Sequence, residues 1–443
     1  MTPLAPLEAA RQFITRISKP ARILVAISGG SDSTGLLLAL HRAVGELGRA
    51  DIALAAVTID HALRAESAQE AIGVAAMCRK LDIPHHIRRW NEAKPATGVS
   101  AAARLARYAL ISQVAETVKA DMIVVGHTLG DQQETIAMRG ARSLRPDNLG
   151  LAGMADGVLY RCNHWFMRPF LNTSRQAIRD FLQDEGWNWF DDPSNIDARY
   201  ERVRARNALE PASTKSGEGL SLTDRSGERA ALSAAAADFI DIHVRCYLDC
   251  LIRISPEGLL QDPPVLRAAL SAMACVLGGR RFAMASDSMD RIMAFVASGQ
   301  LGRATASRVV FDRRRQGLYL MRENRNIPSI IIADGQKAVW DERFEIVNLS
   351  ERELVVGPMS THAVAALMPA FAADIPQGVA KRAAQSLAAI SLAGIDEPVA
   401  ADDHVTIRPV LAPYDLFLPR FDLPLANAIA RLFGREAYPQ REV

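Results

Sequence analysis

The sequence predicts an α/β amino-terminal domain on a parallel sheet, then a mostly helical middle domain and a small mixed α+β carboxy-terminal domain. Three observations carry this reading. From residue 22 to about residue 90, and on to a helix beginning near residue 131, short apolar runs alternate with amphipathic helical stretches, the pattern of a sheet with helices on both faces. Residues 211–228 (PASTKSGEGLSLTDRSGE) are rich in Ser, Gly and Thr without an apolar period, which marks a flexible linker. Beyond residue 329 the β-like runs are short and broken by Gly, Pro and Asp. The expected divisions are therefore 1–210, the linker 211–228, 229–328 and 329–443, and a chain of 443 residues accommodates them at roughly 100–200 residues per domain.

Residues 22–27 (RILVAI) read as a buried strand, 31–47 as a helix, 52–59 (IALAAVTI) as a strand, 66–81 as a helix and 83–89 as a third strand. A helix over 100–119, a strand over 121–125 and a helix beginning near Asp131 continue the alternation. Residues 174–185 predict an amphipathic helix stopped by Gly186, and Trp187 and Trp189 just beyond it are expected to fill core. Past the linker, 229–252, 264–277 and 286–297 have helical patterning, whereas 306–322 alternates like strands and their turn. On a helix, the spacing of Cys246 and Cys250 reads as two buried small residues.

Composition excludes several classes. With 49% hydrophobic and 23% charged residues the chain is neither disordered nor fibrous, and no run approaches the ~18 apolar residues of a membrane helix. Five scattered cysteines fall far below a disulfide framework, which points to a reducing, cytoplasmic setting. The net charge of +2 says little about partners, but its distribution says more: only seven of the 52 basic residues are Lys, and Arg clusters at 199–206 and 308–325. Such clusters can hold phosphates; the alternative is solvated surface Arg.

The sharpest feature is Ser28-Gly29-Gly30-Ser31-Asp32-Ser33, between an apolar strand and a Leu-rich helix. Adjacent glycines let the main chain turn tightly against an anion, and the following helix offers unpaired N–H groups and the positive end of its dipole. Hydroxyls of Ser28, Ser31 and Ser33 add donors. Asp32 cannot face phosphate alone, so a bridging Mg2+ is implied. No Gly-Lys-Ser/Thr occurs, which excludes a Walker loop.

The loop resembles that of the PP-loop ATP pyrophosphatases, whose sheet is Rossmann-like and which break ATP between the α and β phosphates. Further motifs accompany it: Ile59-Asp-His-Ala-Leu-Arg64, Ala103-Arg-Leu-Ala-Arg-Tyr108, Gly126-His-Thr-Leu-Gly-Asp-Gln-Gln-Glu-Thr135, Arg168-Pro-Phe170, and Trp189-Phe-Asp-Asp-Pro-Ser-Asn195 leading to Arg202-Val-Arg204. In that order they resemble the bacterial tRNA(Ile)-lysidine synthetase family over about residues 21–207, and Val339-Trp-Asp-Glu-Arg-Phe344 is similar to an element of its carboxy-terminal domain.

The resemblance implies ATP-dependent ligation of free L-lysine to the wobble cytidine of tRNA(Ile) with a CAU anticodon. The cytidine oxygen attacks the α phosphate, pyrophosphate leaves, and the lysine amine then displaces AMP. It implies Asp32 and Asp131 as metal ligands, Glu134 and Asp131 as the lysine site, and Asp32, Asp60, Arg104 and Asp131 as catalytic residues. The attacking amine must be neutral although lysine titrates near ~10.4, so a carboxylate must take its proton, with Asp60, Asp131 and Glu134 as candidates. Arg64, Arg107, Arg202 and Arg204 are the expected tRNA or phosphate contacts, and 308–325 extends these to the body of the tRNA.

Two departures from the family pattern stand out: Gly130 replaces the first of two acids before Gln132, and Tyr200-Glu201 stands where Arg-Asn is usual. The sequence leaves oligomeric state open, a homodimer included. The competing readings are a tRNA thiolase on the same loop, for which a Cys-x-x-Cys pair is missing, and a non-catalytic nucleotide-dependent RNA-binding protein.

Overall fold

The computed structural model describes residues 3–62, 67–142, 149–190, 222–392 and 405–440. Arg64, Tyr200, Glu201, Arg202, Arg204 and the first part of the expected linker lie outside them. The chain divides into two compact units, Met1–Arg229 with Pro439–Val443, and Ala230–Tyr438.

In the first unit, β1 (Ala21–Ala26) has Ile23, Leu24 and Val25 wholly buried, as a strand covered on both faces requires. It pairs in parallel with β2 (Ile52–Asp60) on one side and β4 (Met122–Val125) on the other. β2 continues in parallel to β3 (His85–Arg89), β4 to β6 (His164–Met167), and β5 (Gly157–Tyr160) adds an antiparallel strand beyond β6. Around this sheet run α1 (Pro6–Thr15), α2 (Ser31–Glu46), α3 (Ser67–Lys80), α4 (Val99–Val118), α5 (Leu129–Arg142) and α6 (Arg175–Asp184). From β1 the chain moves outwards through β2 to β3, then returns to the opposite flank of β1 as β4. The switch in strand order therefore falls between β1 and β4.

α2 and α6 pack closely. A Cβ on Gly35 would stand 2.4 Å from Ile178 Cγ2, so only glycine lets α6 approach this part of α2. Ser174 caps α6 by accepting the Ala177 N–H at 3.1 Å, and Gly186 beyond its end has φ +70°. Trp187 and Trp189 do not fill core: both are half-buried, under Lys80 at 5.9 Å and Arg179 at 5.7 Å.

In the second unit the helix expected over 229–252 ends early. α7 (Leu222–His243) begins inside the stretch expected as linker and gives way to the hairpin β7 (Val244–Tyr247) and β8 (Leu251–Ile254). Leu248 and Asp249, with φ of +50° and +52°, form its turn. Cys246 and Cys250 therefore flank a hairpin turn rather than sharing a helix face. α8 (Pro263–Gly278) and α9 (Ser286–Ala297) follow, then β9 (Gly302–Ala306), β10 (Val309–Arg314) and β11 (Gly317–Arg322), which complete an antiparallel sheet in the order β7-β8-β11-β10-β9.

β11 is buried on both faces, with α8 packed on the sheet and α10 (Gln377–Ala384) closing a core of Leu251, Tyr319, Met321, Val379 and Ala383. Two three-stranded sheets complete the mixed region. β12 (Ile330–Ile332), β15 (Leu354–Pro358) and β16 (Ala388–Leu392) form one; β13 (Lys337–Trp340), β14 (Phe344–Asn348) and β17 (Val405–Pro409) form the other. They share a core of Ile332, Trp340, Ile346, Leu354, Val356 and Val405.

The Trp340-to-Phe344 element is structural. Asp341, fully buried, accepts from Arg322 Nε at 3.0 Å, from Arg343 Nε at 2.7 Å and from Arg308. Thus Arg308 and Arg322 hold the fold through Asp341, and Arg314 lies 2.6 Å from buried Asp312. Arg315 and Arg325 stay exposed. Among the described residues no helix is long and apolar enough to cross a membrane.

Candidate active site at the loop after the first strand

Open parallel sheets receive ligands outside the carboxyl ends of the strands that flank a switch point. Here those are the segments after β1 and β4, residues 27–33 and 126–131. Gly29 has φ +88°, and a Cβ on it would stand 2.8 Å from Phe190 Cδ2. The Phe190 N–H donates to the Gly29 carbonyl at 2.9 Å, so the chain beyond α6 is fastened to the loop. Gly30, the N-cap of α2, provides no side-chain acceptor for the first amides of that helix, which leaves them for an anion. Ser33 braces the loop from inside: its hydroxyl accepts the Ser28 N–H at 3.1 Å and donates to the Gly30 carbonyl at 3.2 Å. The Ser31 hydroxyl donates to Asp32 Oδ1 at 3.2 Å.

Across the switch, Asp131 accepts both the N–H and the hydroxyl of Thr128 on Oδ2, each at 2.9 Å. Burial works against its charge, but His127, the two Thr128 bonds and Arg175 hold its pKa below the ordinary carboxylate value. Glu134, three residues on and 3% exposed, shares its helix face.

Sequence reasoning misses Arg175. Its Nε lies 3.2 and 3.0 Å from the two carboxylate oxygens of Asp32, and its Nη2 lies 2.9 Å from Oδ2. Burial opposes the charged form, yet the Asp32 bond and the fields of Asp32, Asp131 and Glu134 hold its pKa above the usual arginine value. One sequence signal could have found it: a cation in the first turn of a helix runs against the dipole and so requires an anionic partner.

Asp60 ends β2, and Arg107 of α4 meets the neighbouring His61. Asp60 is 7% exposed, accepts the Ala62 N–H at 2.7 Å and lies 3.6 Å from Arg89 Nε. His61 Nε2 accepts from Arg107 Nε at 3.2 Å, and burial, then the Arg107 charge, pushes the imidazole down to about 4. At neutral pH it is therefore an uncharged acceptor that holds Arg107. Arg104 and Arg107 take different partners, because Arg104 reaches one turn forward along α4 to the Tyr108 hydroxyl at 3.2 Å. Arg168 is 7% exposed and donates to the Ala155 carbonyl at 2.6 Å, an anchoring role.

Residues 6–213 match the PP-loop domain family. The chain is 42% identical to the tRNA(Ile)-lysidine synthase of Rhizobium meliloti (strain 1021) over 452 residues, covering 99% of this chain and 97% of the relative. It is 38% identical to that of Mesorhizobium japonicum over 426 residues, 94% of this chain and 93% of the relative. Among solved structures, the U34-tRNA thiolase NcsA from Methanococcus maripaludis is similar at a TM-score of 0.40 and 12% identity, over 47% of this chain and 72% of that one.

Proposed function

The chain belongs to the tRNA(Ile)-lysidine synthase family, and from that premise we propose how its residues divide the work of ATP-dependent lysidine formation on tRNA(Ile). The observation that carries the reading is Arg175 at the sheet's switch point, bonded to Asp32 of the Ser28–Ser33 loop and in the field of Asp131 and Glu134. The loop amides and the start of α2 bind the phosphates of ATP; negative charge building on the phosphoryl oxygens as pyrophosphate leaves is stabilised by fixed N–H donors and by Arg175.

Mg2+ fits the donor set, since Asp32 and Asp131 present hard carboxylate oxygens beside an anion site. Among the described residues no cluster of three or more His, Cys, Asp or Glu could hold a metal, so the cation would take one or two carboxylates and the substrate's own phosphates. When bound, it would neutralise charge on the phosphoryl oxygens.

Asp131 and Glu134, three residues apart on α5, receive the ammonium of free L-lysine. One of these acids, or Asp60, takes the proton that the amine must lose before it attacks the activated cytidine. Arg64, Arg104, Arg107, Arg202 and Arg204 contact phosphate or tRNA. We assign nucleotide chemistry to the domain 1–210. Contacts to the tRNA body we assign to the second unit, where a 430 Å3 cleft is walled by Arg280, Arg308, Arg322 and Arg325 together with Glu323 and Asn326. This chemistry belongs in the cytoplasm with its tRNA.

The thiolase alternative needs a reactive thiolate. Burial instead pushes the Cys250 and Cys275 thiols up to about 12 and that of Cys78 to about 11. The deciding experiment is mass measurement on nucleosides from tRNA(Ile) incubated with the protein, Mg-ATP and lysine. A cytidine increment equal to condensed lysine supports the reading; no increment, or a sulfur increment with a sulfur donor, overturns it.

A further inference from the structure

Arg175 stands where a metal-binding carboxylate would be expected to be open. It engages both oxygens of Asp32, and it does so from a fixed base: Ser174 caps its helix, Gly35 lets that helix pack on α2, and the Leu129 N–H bonds to the Thr173 carbonyl at 3.0 Å, tying this turn to the start of α5. A guanidinium that occupies both oxygens of Asp32 competes with a divalent cation for that carboxylate, because the two positive charges repel each other at close range. A guanidinium also matches phosphate oxygens as well as it matches a carboxylate.

We propose that Arg175 is the resident counter-ion of Asp32 and transfers to the incoming triphosphate, so that Asp32 becomes available to a divalent cation only when nucleotide arrives. Arg175 thus sets an order: nucleotide and metal enter together, and metal alone is refused. This rests on the assignment of Asp32 as a metal ligand made above.

The test is binding of Mn2+ alone to the full-length protein, followed by electron paramagnetic resonance without nucleotide. The wild type is expected to bind weakly, and Arg175→Gln at least tenfold more tightly. Arg175→Lys should restore most of the exclusion, because the obstacle is charge. In steady state Arg175→Gln should raise KM for ATP more than it lowers kcat. Unchanged or weaker Mn2+ binding by Arg175→Gln, with a melting temperature near wild type, overturns the proposal. Lysidine formation by the wild type, measured in parallel, separates the two failures: product without the Mn2+ effect sinks only the ordering, whereas absence of product sinks the functional reading itself.

Discussion

At Asp32 two demands meet. The residue must sit in the first turn of α2, where a carboxylate suits the helix dipole, and it must stay reachable from the loop that carries the anion. Replacing it by Asn keeps the shape and removes the charge. Asp32→Asn is expected to lower the rate of pyrophosphate release by at least a hundredfold, ~2.7 kcal/mol of barrier at 1.36 per tenfold, with tRNA affinity within twofold, read by filter binding; equal loss of both would mean that Asp32 serves folding. A second residue-scale prediction concerns pH. Folded His61 titrates at about 4, below its ordinary value near 6.5. The unfolded chain therefore binds the extra proton first as pH falls, and stability declines between about pH 6.5 and 4. His85, held at about 4 by burial, acts in the same direction. The double variant His61→Asn, His85→Asn should show a shallower fall of melting temperature across that window, and an unchanged slope would refute the assignment. Asp32 was legible because its loop advertises itself within six consecutive residues. Arg175 was not, because its partner lies 143 positions away and only the folded α2–α6 contact joins them.

Elements show the same division between local and distant causes. Strands β1 and β4 and helices α2 and α6 follow from apolar runs and helical periods contained in each segment, so their existence could be read from the sequence. The end of α7 could not: Val244–Tyr247 continues an apolar pattern that suits a helix, and the change to a hairpin depends on β8 pairing with β11 far along the chain. The linker expectation failed at 222–228 for a similar reason, since a polar, Ser-rich stretch has weak helical propensity by itself but here opens a long helix. α6 makes a prediction at this scale. Its N-cap, Ser174, satisfies one otherwise orphan amide, and Ser174→Ala should cost about 1 kcal/mol. Because Arg175 is the next residue, the loosened turn should also raise KM for ATP, while Ser174→Asp, which can still cap, should restore both quantities. A fall in stability with no change in KM would separate the cap from the site.

At the scale of the whole molecule, the positive charges of 308–325 sort into two kinds that the sequence cannot distinguish. Arg308 and Arg322 neutralise Asp341, a buried carboxylate 33 and 19 positions away, and removing either should destabilise the second unit. Breaking a buried pair typically costs about 3–5 kcal/mol through the charge left behind. Arg280 and Arg325 line the same cleft but are exposed, and a surface arginine contributes little to folding. If this cleft meets the tRNA backbone, the two kinds should separate cleanly. Arg280→Ala with Arg325→Ala should keep the wild-type melting temperature, weaken tRNA binding in a way that does not depend on sequence, and reduce the slope of log affinity against log salt by roughly 0.9 for each phosphate that the protein no longer neutralises. At saturating tRNA, pyrophosphate release should be unchanged, since the ATP loop lies on the other unit. Arg322→Ala should instead lower the melting temperature and the hydrogen-exchange protection of β10, β11 and β14. A double variant with full stability and an unaltered salt slope would remove this cleft from the tRNA path and move the binding surface to other arginines, Arg281 and Arg315 first among those exposed.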